Sequence, residues 1–188
     1  LSRKHLMEGM NESLERLQLD YVDVVFAHRY DALTPMEEIV RGFTDIVRSG
    51  KAFYWGTSMW SAQKITEAYW VAKVHNLIPP VVEQPVYSML NRDQVEKELV
   101  PMYAEPYRLG TTIWSPLHGG ILTGKYVKEI PKDSRMGGGT SPHLNTWGMK
   151  GMVTEEKNQK VAKLMEIAKE MGVSMVALAL GWTIKNKN

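Results

Sequence analysis

The sequence has no cysteine among its 188 residues, which excludes disulfide bonds, thiolate nucleophiles and cysteine-based zinc sites. It also lacks an apolar run of roughly 18 residues, so it predicts no membrane-spanning segment. Charge of one sign is not in excess, because 23 Lys and Arg stand against 21 Asp and Glu without a basic stripe. We therefore expect a globular chain with no nucleic-acid partner. The histidines have no metal-like spacing, and no metal site is predicted.

A strand–helix unit repeats along the chain with a period of about 30 residues. Runs of β-branched and aromatic residues predict strands over 21–27, 52–57, 81–84 and 111–115. Apolar spacing and capping residues predict helices that begin near Ser2, Thr34, Ser61, Arg92, Thr154 and Ser174. Strands that alternate with helices form parallel sheets, so the sequence predicts an α/β fold.

A long irregular segment, 116–151, follows the fourth predicted strand and is punctuated by glycines. Loops of this length inside a compact domain are often functional. Glycines such as Gly119 and Gly120 allow the backbone to approach a phosphate closely, and Lys125 and Arg135 supply positive charge. These features favour an anion-binding loop. A surface loop with incidental charge is the alternative interpretation.

Polar and aromatic residues follow the predicted strands at the ends where parallel α/β folds place their chemistry. His28 ends the first strand, Ser58 follows the second, Gln84 ends the third, and Trp114 lies in the fourth. Ser58 and Gln84 can hydrogen-bond a carboxamide, Trp114 can stack on a ring, and His28 can donate to a carbonyl oxygen. Taken one at a time, each is better explained as a structural residue. Together they predict a pocket for a flat heterocycle that bears an amide.

Several segments together resemble the aldo-keto reductase superfamily, and most closely the β-subunits of Shaker-type voltage-gated potassium channels. The resemblance runs over essentially the whole chain. The segments are Leu19 to Arg29 (LDYVDVVFAHR), Gly56-Thr57-Ser58, Glu83-Gln84, Trp114 to Leu117 (WSPL) and Leu122 to Tyr126 (LTGKY).

The resemblance implies a (β/α)₈ TIM barrel that binds NADP(H) at the carboxyl face of its strands. Family members use an Asp, Tyr, Lys and His tetrad, in which the Tyr protonates the carbonyl, and His28 matches the catalytic His. Ser58 and Gln84 match residues that hold the nicotinamide carboxamide, and Trp114 matches the aromatic side chain stacked on its ring. The residues that match the cofactor loop are Ser115, Pro116, Leu117, Lys125 and Arg135.

Two substitutions separate the chain from animal channel β-subunits, which usually carry Asn at the position of His28 and Arg at the position of Met59. Both favour a catalytic interpretation. A complete barrel needs about 250 residues, and only four to five β/α units are predicted here. We therefore expect 1–188 to be a partial aldo-keto reductase domain. By the resemblance, the Asp, Tyr and Lys of the tetrad lie upstream, and the adenosine 2′-phosphate segment lies downstream.

These features predict a cytoplasmic NADP(H)-dependent oxidoreductase that reduces small aldehydes or ketones by hydride transfer. The chain by itself is expected to have little activity, because it lacks three of the four tetrad residues. One alternative is a regulatory β-subunit, peripheral to the membrane, that binds a potassium channel α-subunit as a homotetramer. A second alternative is a non-functional truncated fragment.

Overall fold

A computed structural model describes residues 1–137 and 152–187 of the chain. The chain divides into two compact units. The first unit comprises 1–85 and 93–114, and the second comprises 86–92 and 115–187.

The first unit is built on a parallel sheet of four strands in the order β1-β2-β3-β4. The strands are β1 (Val22–Ala27), β2 (Ala52–Ser58), β3 (Val82–Gln84) and β4 (Gly110–Thr111). Sequential parallel strands, with a helix in each of the first two connections and short helical turns in the third, confirm the predicted α/β fold. The arrangement is compatible with part of a TIM barrel.

Three helices of the first unit pack their apolar sides into one core with the sheet. They are α1 (Arg3–Leu17), α2 (Met36–Arg48) and α3 (Ala62–Val74). Phe43 of α2 stacks on Trp55 of β2 with ring centroids 4.6 Å apart and planes only 4° from parallel. The Trp55 indole N–H donates to the Ile78 carbonyl at 2.8 Å, so the one polar atom of this buried ring is satisfied.

Gly56 of β2 allows the neighbouring strands to approach at the centre of the sheet. Its register partners are Phe26 on β1 and Val82 on β3. A Cβ at this position would lie 2.4 Å from Val82 Cγ1, 2.5 Å from the Val82 carbonyl oxygen and 3.0 Å from Phe26 Cε1. Because only hydrogen fits in this space, a glycine is required there.

The helical stretch predicted over 92–103 forms as two short turns and not as one α-helix. Gln94–Glu98 forms a π-helical turn, closed by the Leu99 N–H donating to the Gln94 carbonyl at 2.9 Å. Val100–Met102 then forms a 3₁₀ turn. Pro101 lies inside this second turn and has no N–H to donate, which prevents a continuous α-helical hydrogen-bond ladder.

The fourth strand is shorter than predicted, because β4 ends at Thr111 rather than at Ser115. The backbone N–H groups of Thr112 and Trp114 still donate to the carbonyls of Glu83 and Pro85, at 3.1 and 3.0 Å. Pro85 has no N–H, so the neighbouring chain cannot return the next bond of the ladder. After Thr111, this segment donates hydrogen bonds to the neighbouring chain but receives none from Pro85. Trp114 therefore lies beyond the regular strand.

The second unit contains a 3₁₀ segment over His118–Thr123 and two helices, α4 (Glu155–Glu170) and α5 (Met175–Thr183). Thr154 and Ser174 accept hydrogen bonds from Lys157 and Ala177 backbone N–H groups, which confirms both predicted starts. The core of this unit contains Ile121, Leu122, Tyr126, Val161, Ala168, Met175 and Ala179. Within 1–137 and 152–187, no helix has the length and apolar character needed to cross a membrane.

Candidate functional site

The ends of β2 and β3 are joined by a hydrogen bond between two predicted site residues. The Ser58 hydroxyl donates to the main-chain carbonyl of Gln84 at 3.0 Å, and Ser58 is only 1% exposed. Parallel pairing of the two strands places these residues side by side, since Ser58 and Gln84 are register partners. Gln84 itself is half-buried, and the group that contacts Ser58 is its main-chain carbonyl.

Trp114 is connected to the same strand ends by two contacts. Its indole N–H points to the Met59 sulfur at 3.4 Å, and Met59 directly follows Ser58. Its backbone N–H donates to Pro85, which directly follows Gln84. The Trp114 side chain remains 40% exposed, so part of the ring surface is open for stacking. The first unit thus brings Ser58, Gln84 and Trp114 together.

His28 is less closely tied to this group. It follows β1 and is exposed, and its backbone carbonyl accepts a hydrogen bond from Arg29. The same Arg29 nitrogen lies 3.3 Å from the Ser58 hydroxyl, so the connection runs through Arg29. His28 borders a cavity of about 500 Å³ beside α1 and β1, which His5 also lines. His28 follows the carboxyl end of β1, and Ser58 ends the neighbouring strand β2.

A buried carboxyl group, which the sequence analysis did not assign a role, lies directly behind these residues. Glu83 is 0% exposed and is the register partner of Thr57, whose hydroxyl donates to it. The backbone N–H of Trp60 also donates to Glu83 Oε1 at 3.3 Å, and Met59 N–H is a further backbone donor. Burial raises the pKa of Glu83 above its ordinary value, while these donors and Arg29 oppose the shift.

The sequence contained only a weak signal for Glu83. A charged residue inside a short predicted strand is unusual, because buried strands are mostly apolar. Its partner Thr57 comes from a different strand, and the two are adjacent only after the sheet has formed.

The predicted anion loop belongs to the second unit and begins with a strained turn. Ser115 and His118 both have positive φ values, +57° and +48°. The Ser115 carbonyl accepts the His118 N–H at 2.9 Å, and its hydroxyl accepts the Gly119 N–H at 3.3 Å. Pro116 and Leu117 lie within this turn and are half-buried. These contacts fix the start of the loop without using an external ligand.

The two predicted cations of the second unit, Lys125 and Arg135, both lie on the surface. The Lys125 ammonium is 5.0 Å from the centroid of the Tyr126 ring, a cation–π distance. Gly124, just before Lys125, has a φ of +83°, and a Cβ there would lie 2.8 Å from the Met165 sulfur. Glycine therefore permits the sharp turn that presents Lys125 to solvent.

His118 is a second buried titratable residue, and it belongs to the loop of the second unit. It is 8% exposed, and its Nδ1 lies 3.4 Å from the Ser88 hydroxyl. Burial lowers the pKa of His118, and the nearby Lys157 charge acts in the same direction. The imidazole is thus favoured in its neutral form, as a structural contact between the loop and the segment 86–92.

A sequence model described as the aldo/keto reductase family matches residues 1–188. A protein of Schizosaccharomyces pombe is 49% identical over 99% of this chain and 53% of its own length. A protein of Oryza sativa subsp. japonica is 49% identical and one of Arabidopsis thaliana 47% identical, each over 100% of this chain and 56% of its own length.

All three relatives carry provisional names as beta subunits of voltage-gated potassium channels. The chain spans about half the length of these curated relatives, between 53% and 56%.

Proposed function

The chain belongs to the aldo/keto reductase family, and we propose that it forms part of an NADP(H)-dependent oxidoreductase that reduces aldehydes or ketones. The observation that carries this proposal is the linked group at the strand ends. Ser58 is hydrogen-bonded to Gln84, and Trp114, with an open ring surface, is tied to the residues that follow each of them. A hydroxyl, an amide and an aromatic surface in one place suit a nicotinamide.

The residues of this group fit the cofactor in chemical character. Trp114 offers an exposed aromatic surface, and the half-buried Gln84 side chain can both donate to and accept from a carboxamide. When bound, NADPH would supply the hydride that reduces the substrate carbonyl. The contribution of Ser58, Gln84 and Trp114 would be to hold the ring in one orientation, which limits the approach of substrate to one side.

His28 would act on the substrate rather than on the cofactor. An imidazole N–H can donate a hydrogen bond to a carbonyl oxygen and stabilise the negative charge that develops there during reduction. The exposure of His28 at the end of β1 leaves its ring accessible to a small molecule. The resemblance assigns protonation of that oxygen to a Tyr that is not among these 188 residues, so little turnover is expected from this chain alone.

The direct test of the proposal is a titration of the purified chain with NADPH, in which quenching of tryptophan fluorescence measures binding. Saturable binding is expected. A folded chain that does not bind NADPH would contradict the proposal.

Lys125 and Arg135 are proposed to contact the cofactor phosphates. Replacing both with alanine should weaken NADPH binding by about tenfold, since exposed charge pairs contribute on the order of 1 kcal/mol or less each. The dependence of affinity on salt should also become less steep, because fewer cations then face the phosphates. Titrations at two salt concentrations measure both effects.

The matched control for this experiment is the double alanine variant at Lys128 and Lys132, two exposed lysines of the same segment. It should bind NADPH like the unmodified chain. Equal loss in the two double variants would indicate a general effect of charge and contradict a specific role for Lys125 and Arg135.

A regulatory channel subunit is the second candidate function, favoured by the names of relatives that are 47–49% identical. In this case, the protein would be cytoplasmic and would bind a cytoplasmic domain of a potassium channel as a homotetramer. Co-purification with a channel tetramerisation domain, with stoichiometry measured by light scattering, tests this function. A monomer that is not retained by the channel domain would argue against it.

A further inference from the structure

Glu83 is the one fully buried acidic residue among the residues that the structure describes. A buried carboxyl group is unfavourable unless its oxygens accept hydrogen bonds. Here the donors come from Thr57 and from the backbone of Met59 and Trp60, the residues on both sides of Ser58. The carboxylate thus holds the whole turn that carries the Ser58 hydroxyl.

The turn held by Glu83 adopts a backbone conformation that needs support. Met59 has a φ of +57°, in the left-handed region that non-glycine residues seldom adopt. Its sulfur in turn faces the Trp114 indole N–H at 3.4 Å. A chain of contacts therefore leads from the Glu83 carboxylate through Met59 to the Trp114 ring, inside the first unit.

We propose that Glu83 is a positioning residue, whose ionised carboxylate sets Ser58 and, through Met59, the Trp114 ring for the nicotinamide. This inference rests on the proposed function and concerns the same site. Glu83 itself touches neither cofactor nor substrate in this proposal. It acts by holding the turn 58–60 in the conformation that the site requires.

Protonation would disturb this arrangement, because a neutral carboxyl group must donate one hydrogen bond and so loses an acceptor position. The backbone N–H groups can only donate, so a proton on that oxygen would displace one of them or require the Thr57 hydroxyl to rotate and accept it. Arg29 is the charged group whose field reaches Glu83, and the neighbouring strands bring the uncharged Thr57 and Thr111 beside it. The site should therefore loosen as pH falls, in a range above the ordinary pKa of a glutamate.

Fold stability should respond in the opposite direction. Because burial raises the pKa of Glu83, the folded chain favours the neutral form more than the unfolded chain does. The free energy of unfolding therefore decreases as pH rises from the ordinary glutamate pKa through the raised one. Ionisation of Glu83 thus supports the conformation of the site but lowers the free energy of unfolding. This pattern is expected of a functional group.

The test compares Glu83→Gln with the unmodified chain and with Glu98→Gln as a control. Glu98 is an exposed glutamate whose Oε1 accepts the Ala62 N–H at 3.1 Å, so the same substitution is made outside the site. Three quantities are measured: the NMR signal of the Trp114 indole N–H against pH without cofactor, the Kd of NADP⁺ against pH, and the thermal midpoint. Comparison with Trp114→Phe assigns the signal.

In the unmodified chain, the Trp114 signal should move as Glu83 titrates, and in E83Q it should be shifted and insensitive to pH. E83Q should bind NADP⁺ about fivefold more weakly at neutral pH, with an unchanged or higher thermal midpoint, and E98Q should match the unmodified chain. The 2′-phosphate of NADP⁺ also titrates, near pH 6, so the difference between the two affinity profiles isolates Glu83.

Equal affinities, or a Trp114 signal that does not respond to pH in the unmodified chain, would overturn the proposal. A fall in thermal midpoint that parallels the loss of affinity would also overturn it, in favour of a purely structural role. If E83Q does not fold, the pH titration of the Trp114 indole signal in the unmodified chain tests the proposal by itself. If no chain binds NADP⁺ while the Trp114 signal follows Glu83, the proposed function fails and the positioning contact stands.

Discussion

Replacing Trp114 with alanine is expected to weaken NADPH binding by tenfold to a hundredfold, on the order of 1–3 kcal/mol for loss of one aromatic stacking surface. The ring is 40% exposed and fixed by hydrogen bonds from its backbone and its indole N–H. Alanine removes the surface but leaves the backbone bond to Pro85. Isothermal titration with NADPH measures the change, since fluorescence itself is altered by the substitution.

Two further variants separate stacking from other effects in this experiment. Trp114→Phe keeps a smaller aromatic ring and loses the contact of the indole N–H with Met59, so its affinity should fall by less than about fivefold. Trp70→Ala removes another half-exposed tryptophan, on α3, and should not change NADPH binding. Unchanged affinity in Trp114→Ala would contradict the assigned role of this ring.

Gly56→Ala should lower the free energy of unfolding by about 1–3 kcal/mol, the usual range for overpacking. The added Cβ would lie 2.5 Å from a backbone oxygen of β3, so relief requires the strand itself to move. Since Ser58 and Gln84 lie two residues further along the same pair of strands, NADPH binding should weaken as well. Urea unfolding followed by circular dichroism measures the stability.

Gly9→Ala provides the matched control for this substitution. Gly9 lies inside α1, and nothing is within 4 Å of a Cβ built on it. Alanine should stabilise the helix by about 0.5–1 kcal/mol, because it restricts the unfolded backbone. A Gly56→Ala variant as stable as Gly9→Ala would show that the sheet adapts to a methyl group without cost.

Local sequence patterns predicted those parts of the fold whose causes are local. The apolar run directly before His28 forms β1. The regularly spaced leucines earlier in the chain lie on α1. Ser61 was expected to begin a helix, and its hydroxyl accepts the Lys64 N–H at 3.3 Å. In each of these cases, the residues that determine the structure are close neighbours in the chain.

The predicted elements whose extent or type the structure corrects depend on residues elsewhere or on missing backbone donors. The length of β4 is limited by Pro85, which is some 25 residues earlier in the sequence but adjacent in the sheet. Periodicity around Arg92 indicated a helix, whereas Pro101 removed a donor that such a helix needs. Neither effect appears in the pattern of apolar residues.

The positions of the candidate site residues at the strand ends could be predicted from the sequence. The contacts between these residues could not. Ser58, Gln84 and Trp114 follow from the rule that parallel strands present their chemistry at one edge. The contact of Met59 with Trp114 depends on a left-handed backbone conformation at Met59, which its residue type does not indicate. The role of Glu83 depends on pairing with Thr57 across strands.

The proline beside β4 also has a consequence for motion in this region. Because Pro85 cannot donate, the Trp114 backbone is joined to the neighbouring chain only through its own N–H, which donates to the Pro85 carbonyl. Solvent exchange at the Trp114 amide would then report local opening of the site, while the amide of Val25, inside the β1–β2 ladder, would report global unfolding. The exchange rate of the Trp114 amide would therefore measure how often the Trp114 ring leaves the site.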